Sequence, residues 1–326
     1  MKEFWSSQRV GREFRIGESS EVVCEFFHAG HVLGAAGIRL GVEGRSIFYT
    51  GDVHFEDQTI CLGADFPPDS VDTLIIEATR GDSERESGYT RAAELSRLAT
   101  AIRESLDAGG SVLIPVFAMG KTQELILSLH ELREAGEIPA EAPIQIGGLS
   151  TKMTKIFDRF SGQSRRRHRG LHILGDIENL SPPSRRQPVP EYSPRRIFAL
   201  SSGMMTENTI SNRFAHHILP SERNALLFVG YADPDSPGGR ILATERGEKV
   251  RLNGSRIPLD CRVDRFDFSG HAPRHHLLDF INRTRPGQII LVHGDEPARR
   301  WMADRLKASL PNTRVTIPHP GEQVEL

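Results

Sequence analysis

Six short apolar runs, each closed by turn residues, alternate along this chain with stretches of helical periodicity, and that alternation confines it to an α/β fold. The runs are Ser46–Thr50, Thr73–Ile76, Val112–Phe117, Ile197–Leu200, Ala225–Val229 and Ile289–Val292. Between them, Tyr89 to Gly110 carries Leu95, Leu98, Ile102 and Leu106 at helical spacing and stops on Gly109-Gly110. Lys121 to Gly136 repeats the pattern with Leu125, Leu129 and Leu132. At roughly 100–200 residues per domain, a chain of 326 residues makes two domains, or one large unit with an insertion. Ser161–Pro194 departs from the pattern, with RRRHR at Arg165–Arg169 followed by a proline-rich run, and reads as an exposed basic loop in a middle domain.

Charge excludes several partners. Lys+Arg of 41 against Asp+Glu of 43 leaves a net charge of −2, so no overall basic field draws the chain to nucleic acid or membrane, and any such contact is a local groove. The cations are 35 Arg to 6 Lys, a bias we ascribe to gene base composition. Cys24, Cys61 and Cys261 stand far apart, which fits neither a disulfide framework nor a thiolate zinc site and points to a reducing, cytoplasmic compartment. The opening residues have no apolar core, and no run of about 18 apolar residues occurs, so neither a targeting signal nor a membrane span is expected.

Ligands in open α/β folds gather at the carboxyl ends of strands. Three of the runs end in groups able to bind metal or move protons: SIFYT leads into Gly51-Asp52, TLII into Glu77, and IILV into His293-Gly294-Asp295. Two more histidines, His31 in HAGHVLGAAG and His271 in DFSGHAP, sit among small residues that leave an imidazole uncovered. His54 follows TGDV closely enough to reach the same place, whereas His28 and the pairs His216-His217 and His275-His276 read as structural or exposed.

AGHVLGA, YTGD, IIEATRGD, PVFAMGKTQELI, SSGMM, GY…GGRIL, FSGHA and LVHGD follow one another from about His28 to about Glu296. This ordered set resembles the β-CASP branch of metallo-β-lactamase-fold nucleases, which includes the polyadenylation endonuclease and ribonuclease J. The resemblance implies an αββα sandwich of two packed sheets at residues 1–81 and 263–326, interrupted by a β-CASP α/β domain at 82–262. It further implies a two-zinc site, with His31 and His293 as metal ligands and Asp52 as the bridging carboxylate. Glu77 and His271 match the pair that moves a proton to the leaving group. Ser202, Gly203, Met204, Gly230, Gly239 and Arg240 match loops that face bound RNA, although tight turns explain the glycines equally well. A histidine at position 293 resembles the RNA-processing members, while the DNA-repair branch typically has valine there. GGR stands where relatives often have Thr-Leu-Ala/Gly-Arg, and Arg80 falls in an altered motif, so the resemblance carries over the acid Glu77 but not the fine substrate contacts.

The family's His-x-His-x-Asp-His cluster does not occur in this sequence, and no histidine precedes His28. A catalytic zinc generally takes three protein ligands and a water, so neither ion is fully provided for, and weak metal uptake by this chain alone is expected. The missing stretch supplies strands of one sheet, so Ser46–Thr50 and Thr73–Ile76 are expected to leave strand edges and an apolar face exposed. A hetero-partner carrying the missing half, a homo-oligomer, or a sequence start placed too late would each account for this, with Phe4 and Trp5 as remnants of a core. Two readings follow: an RNA-cleaving endo- or 5′–3′ exonuclease acting on single-stranded RNA, completed from outside, or a non-catalytic RNA-binding or dimerising subunit. The β-CASP motifs argue against a small-molecule hydrolase on the same fold.

Overall fold

The chain divides into two units in a computed structural model that describes residues 6–17, 21–67, 70–182 and 189–326. Unit 1 is Met1–Ser87 with Gly270–Leu326, and unit 2 is Gly88–Ser269. Phe4 and Trp5, and part of the proline-rich run, lie outside the described residues. In chain order, unit 1 opens with β1 (Glu13–Ile16), β2 (Val22–His28), β3 (Ala36–Val42), β4 (Arg45–Tyr49) and β5 (Thr73–Glu77). Unit 2 follows with α1 (Arg91–Asp107), β6 (Val112–Pro115), α2 (Lys121–Glu134), β7 (Ile144–Ile146), α3 (Leu149–Arg159), α4 (Ile173–Asp176) and β8 (Leu180–Ser181). It continues through β9 (Ile197–Leu200), α5 (Ile210–Ile218), β10 (Ala225–Phe228), α6 (Pro237–Leu242), β11 (Lys249–Leu252), β12 (Ser255–Pro258) and β13 (Arg262–Arg265). The chain returns to unit 1 for α7 (Arg274–Thr284), β14 (Gln288–Val292), α8 (Glu296–Ser309) and β15 (Arg314–Thr316). Sequence placed the inserted domain at 82–262. The later far border has a simple cause, because β13 pairs in parallel with β10 and so belongs to the sheet of unit 2.

Unit 2 is built on a parallel sheet of order β13-β10-β6-β9-β7-β8, with β11 and β12 as a separate hairpin. Every residue of β6, β9 and β10 is buried, as expected of parallel strands covered on both faces. Phe214, Ile218 and Ile241 of α5 and α6 pack with Leu113, Phe198, Leu226 and Phe228. Arg166, expected in an exposed basic loop, is instead buried and donates to the carbonyl oxygens of Phe157 and Leu171, so its guanidinium ties the loop to α3.

Unit 1 carries one seven-stranded sheet among the described residues, order β1-β2-β3-β4-β5-β14-β15, where the resemblance implied two packed sheets. Its first half is an antiparallel meander, and β4, β5, β14 and β15 run parallel. The two-residue turn between β3 and β4, Glu43-Gly44, has positive φ at both positions, the primed geometry that matches strand twist. Strands β4 and β5 sit inside the sheet, so the expectation that their edges are exposed is corrected: β3 is the outer ladder partner of β4, and β14 that of β5.

Side chains alternate across a sheet, and the two faces of this one differ. Phe48, Leu74, Ile76, Ile289 and Leu291 point to a face covered by Leu277, Phe280 and Ile281 of α7 and Met302 and Leu306 of α8. The ladder registers place Phe26, Ile38, Tyr49, Ile75 and Ile290 in one row across the opposite face. Tyr49 in that row is 42% exposed, Ile16 on the same face is 47% exposed, and Phe26, Ile38 and Ile75 are only half-buried.

Candidate metal centre

Parallel neighbours β4, β5 and β14 end in register and deliver Asp52, Glu77 and His293 to the same edge of unit 1. His31 arrives from the β2–β3 loop. Gly30 makes a bridge to Val53, and Gln58 donates to the carbonyl oxygens of Gly30 and His31 at 2.8 and 3.1 Å. Gly30 has φ +72, and a Cβ there would lie 2.2 Å from the carbonyl oxygen of His54, so only glycine fits the crossing. His271 lies just ahead of α7, and the N–H of Ala272 bonds the carbonyl oxygen of Val53, fixing the approach.

Nδ1 of His31 donates to the carbonyl oxygen of Gly270 at 2.8 Å. That bond fixes the tautomer and leaves the Nε2 lone pair facing Asp52. Nε2 of His31 lies 3.9 Å from Oδ2 of Asp52, and Nε2 of His293 lies 3.7 Å from Oδ1. Both separations are too long for a hydrogen bond. They match two metal–ligand bonds of about 2.0–2.2 Å meeting at one ion. The donor set therefore fits zinc on either oxygen of one carboxylate. His31, Asp52 and His271 also offer ligand atoms within 4.8 Å of one another.

Glu77 is 1% exposed and takes hydrogen bonds from the backbone N–H of Val53 at 2.7 Å and from Nδ1 of His271 at 2.9 Å. Burial alone would raise its pKa, but the hydrogen bond and charge of His271, with further bonds from Thr79 and Val53, hold it below the ordinary value. His31 is lowered by burial and by its neighbour His271, which outweigh the Gly270 bond and the Asp52 charge. The imidazoles of His31 and His293 flank that of His271, with centroids 4.5 and 5.4 Å away.

The five residues that sequence singled out on unit 1 thus meet at one place. His54, left open, is buried and lies 3.9 Å from Glu56, outside the group of candidate ligands. Sequence missed the carbonyl of Gly270, which takes the proton of His31. The only trace was glycine beside His271, where an added Cβ would sit 3.1 Å from the His31 ring.

The RNA-facing candidates all lie in unit 2. Ser202 Oγ accepts from the N–H of Thr206, and the N–H of Gly238 bonds the carbonyl oxygen of Met204, joining the SSGMM and GYADPDSPGGR loops. A Cβ on Gly203 would come within 2.9 Å of the Phe117 ring, and the carbonyl oxygen of Asp233 is 2.1 Å from the corresponding point on Gly239, so packing accounts for both glycines. Arg240 is exposed and donates to the carbonyl oxygen of Asp235, while Gly230 lies half-buried two residues past β10.

A carboxylate shared between imidazoles at the ends of parallel strands, with a buried Glu-His pair beside it, is the arrangement of a metallo-β-lactamase-type hydrolase. The Beta-Casp domain model matches residues 122–241, and the model of the Zn-dependent metallo-hydrolase RNA specificity domain matches residues 256–318. The chain belongs to the β-CASP family of metallo-β-lactamase-fold nucleases. Among its relatives, Probable RNase MJ4 of Methanocaldococcus jannaschii is 31% identical over 83% of this chain and 62% of that protein. Transcription termination factor FttA of the same organism is 32% identical over 86% and 46%. Cleavage and polyadenylation specificity factor subunit 3 of Dictyostelium discoideum is 28% identical over 94% and 39%. The chain therefore spans only 39% to 62% of the length of these relatives. A crystal structure of a protein of unknown function from Enterococcus faecalis V583 shares the fold, with a TM-score of 0.52 at 14% identity over all of this chain and 69% of that one.

Proposed function

We propose that this chain carries the RNA-cleaving centre of a β-CASP metallo-hydrolase, which hydrolyses phosphodiester bonds of single-stranded RNA. The observation that carries the reading is the placement of Asp52, one oxygen toward His31 and the other toward His293, with the Glu77–His271 pair alongside. Endoribonucleases among the relatives, such as ysh1 of Schizosaccharomyces pombe at 30% identity, support it.

His31, Asp52 and His293 would hold the metal. Bound zinc would supply Lewis acidity toward the phosphate oxygens and lower the pKa of an attacking water. The chain's own residues do the rest. Glu77, anchored by the Val53 N–H, accepts Nδ1–H of His271 and turns Nε2 outward. From there His271 gives a proton to the departing ribose oxygen, and Glu77 steadies the charge that the ring carries before the transfer. Ser202, Gly203, Met204, Gly230, Gly239 and Arg240 belong to the loops that meet the RNA backbone, which Arg240 reaches through its guanidinium; the buried Gly203 and Gly239 shape those loops, the N–H of Gly239 being taken by Ser236 Oγ.

His271 has one nitrogen left once Glu77 takes the other, so it can act as ligand or as acid, not both. Two zinc ions then lack ligands in the described residues, and further ligands come from a segment or partner, the His-x-His-x-Asp-His half, docking on unit 1. The half-exposed row Phe26, Ile38, Tyr49, Ile75 is where such a layer would pack.

The test is co-expression with a polypeptide supplying that cluster, followed by zinc analysis and cleavage of labelled single-stranded RNA. Cleavage that appears only in the pair, and disappears in Asp52→Ala with RNA binding kept, is the expected result. Undiminished cleavage by Asp52→Ala sinks the catalytic reading, and two tightly held zinc ions in the chain alone sink the completion.

A further inference from the structure

Helix α3 of unit 2 is apolar on the side that faces solvent. Ser150, Thr151 and Thr154 are buried, while Leu149 is 53% exposed, Ile156 49% and the adjoining Phe160 45%. The reason lies in its contact with α2, which is a hydrogen-bonded seam. Gln123 Nε2 donates to Thr154 Oγ1 at 2.8 Å, and Thr122 and Ser150 share a hydroxyl–hydroxyl bond at 3.0 Å. Small polar residues and Phe157 occupy the inner face, leaving Leu149, Ile156 and Phe160 outside.

Leu149, Met153, Ile156 and Phe160 succeed one another at steps of four, three and four residues, the spacing of a coiled-coil seam. Lys152, Lys155 and Arg159 run along one side of that stripe and are exposed, while Ser150 and Phe157 on its other side are buried. The helix has a single acid, Asp158, and its two carboxylate oxygens accept the N–H groups of Ile173 and Leu174 at 2.7 and 3.0 Å. The surface is therefore an apolar stripe with one cationic margin and no acid on the helix free to answer it.

We propose that α3 is a docking face for an amphipathic helix of a partner protein, one with apolar residues at coiled-coil spacing and acidic residues at their flanks. About three turns of helix are available, enough for anchors at i, i+3/i+4 and i+7. Charge selects this occupant over a second copy of the chain, since α3 against α3 would set Lys152 and Arg159 beside their own like. Aliphatic Leu149, Met153 and Ile156 select it over nucleic acid, which is held by aromatic stacking and phosphate contacts.

The probe is a fluorescein-labelled peptide of three heptads with leucine at the seam and glutamate at the flanks, read by anisotropy against the full chain. A second peptide has lysine at the flanks. The glutamate peptide should bind at least about tenfold tighter than the lysine peptide, and Ile156→Asp should abolish binding. Lys152→Glu with Arg159→Glu leaves the stripe intact and should reverse the preference; circular dichroism melts confirm that the variants fold. Binding of neither peptide, a preference indifferent to the charge swap, a chain dimer dissolved by Ile156→Asp, or capture by phosphatidylserine vesicles in place of the peptide would each overturn the proposal.

Discussion

His293 adopts a left-handed backbone, φ 49, in the turn after β14, and Gly294 follows with φ 123. An L-residue there costs on the order of 1–2 kcal/mol, and asparagine bears it better than most because its short side chain bonds locally. His293→Asn is therefore expected to unfold in urea at the same or a slightly higher midpoint than the wild type. Zinc uptake by the completed protein should fall from two ions to one. A clear loss of stability with both ions retained would show that the imidazole serves the fold and not the metal. At this scale the sequence was informative in one direction. Asp52, Glu77 and His293 could be found because each closes an apolar strand, and His31 and His271 because glycine surrounds them. The bond that orients His31 could not, since its partner is a backbone carbonyl 239 residues away and carries no side-chain signature.

Elements divide along the same line. Continuous apolar runs such as β6, β9 and β10 were legible because covered parallel strands need no polar side. Strands β2 and β3 were not, since Glu25 and Arg39 interrupt them, and only the ladder shows that these two charges pair across it. Helix α3 escaped notice because its apolar side is the solvent side. The starts of β4 and β5 are tied by Asp72, whose carboxylate accepts the N–H and hydroxyl of Ser46 at 2.7 and 3.0 Å. Those bonds lower its pKa, outweighing a small opposing effect of burial. A depressed folded pKa means stabilisation that is full above the unfolded value, about 3.9, and is lost as pH falls through the folded one. Asp72→Asn should thus be less stable than wild type at neutral pH, with the gap closing in acid. A gap that stays constant down to pH 2 in denaturant titrations would assign the effect to packing instead.

At the scale of the molecule, the chain leaves one unit, builds another and returns. Each unit contains its own buried thiol reporter. Cys24 and Cys61 lie in unit 1 at 1% and 4% exposure, and Cys261 in unit 2 at 1%, its thiol pushed up to about 12 by burial against the opposing pull of Arg246. None should react with a thiol reagent in the native protein. In rising denaturant, Cys24 and Cys61 should be labelled before Cys261, because the sheet of unit 2 is covered on both faces and that of unit 1 on one. Simultaneous labelling of all three, followed by mass spectrometry, would mean that the units unfold as one.

The row from Phe26 to Ile290 also bears on how much of the protein a cell can keep. Whatever layer binds that face binds only the folded chain, so it adds RT ln(1 + [L]/Kd) to folding stability. A hundredfold excess over Kd is worth about 2.7 kcal/mol, a large fraction of the margin by which a typical domain stays folded. On the proposed completion by a second layer, abundance of this chain would follow the dosage of that cover, and the hydrophobic row would act as a meter of stoichiometry: copies made in excess would be the ones that unfold and are cleared.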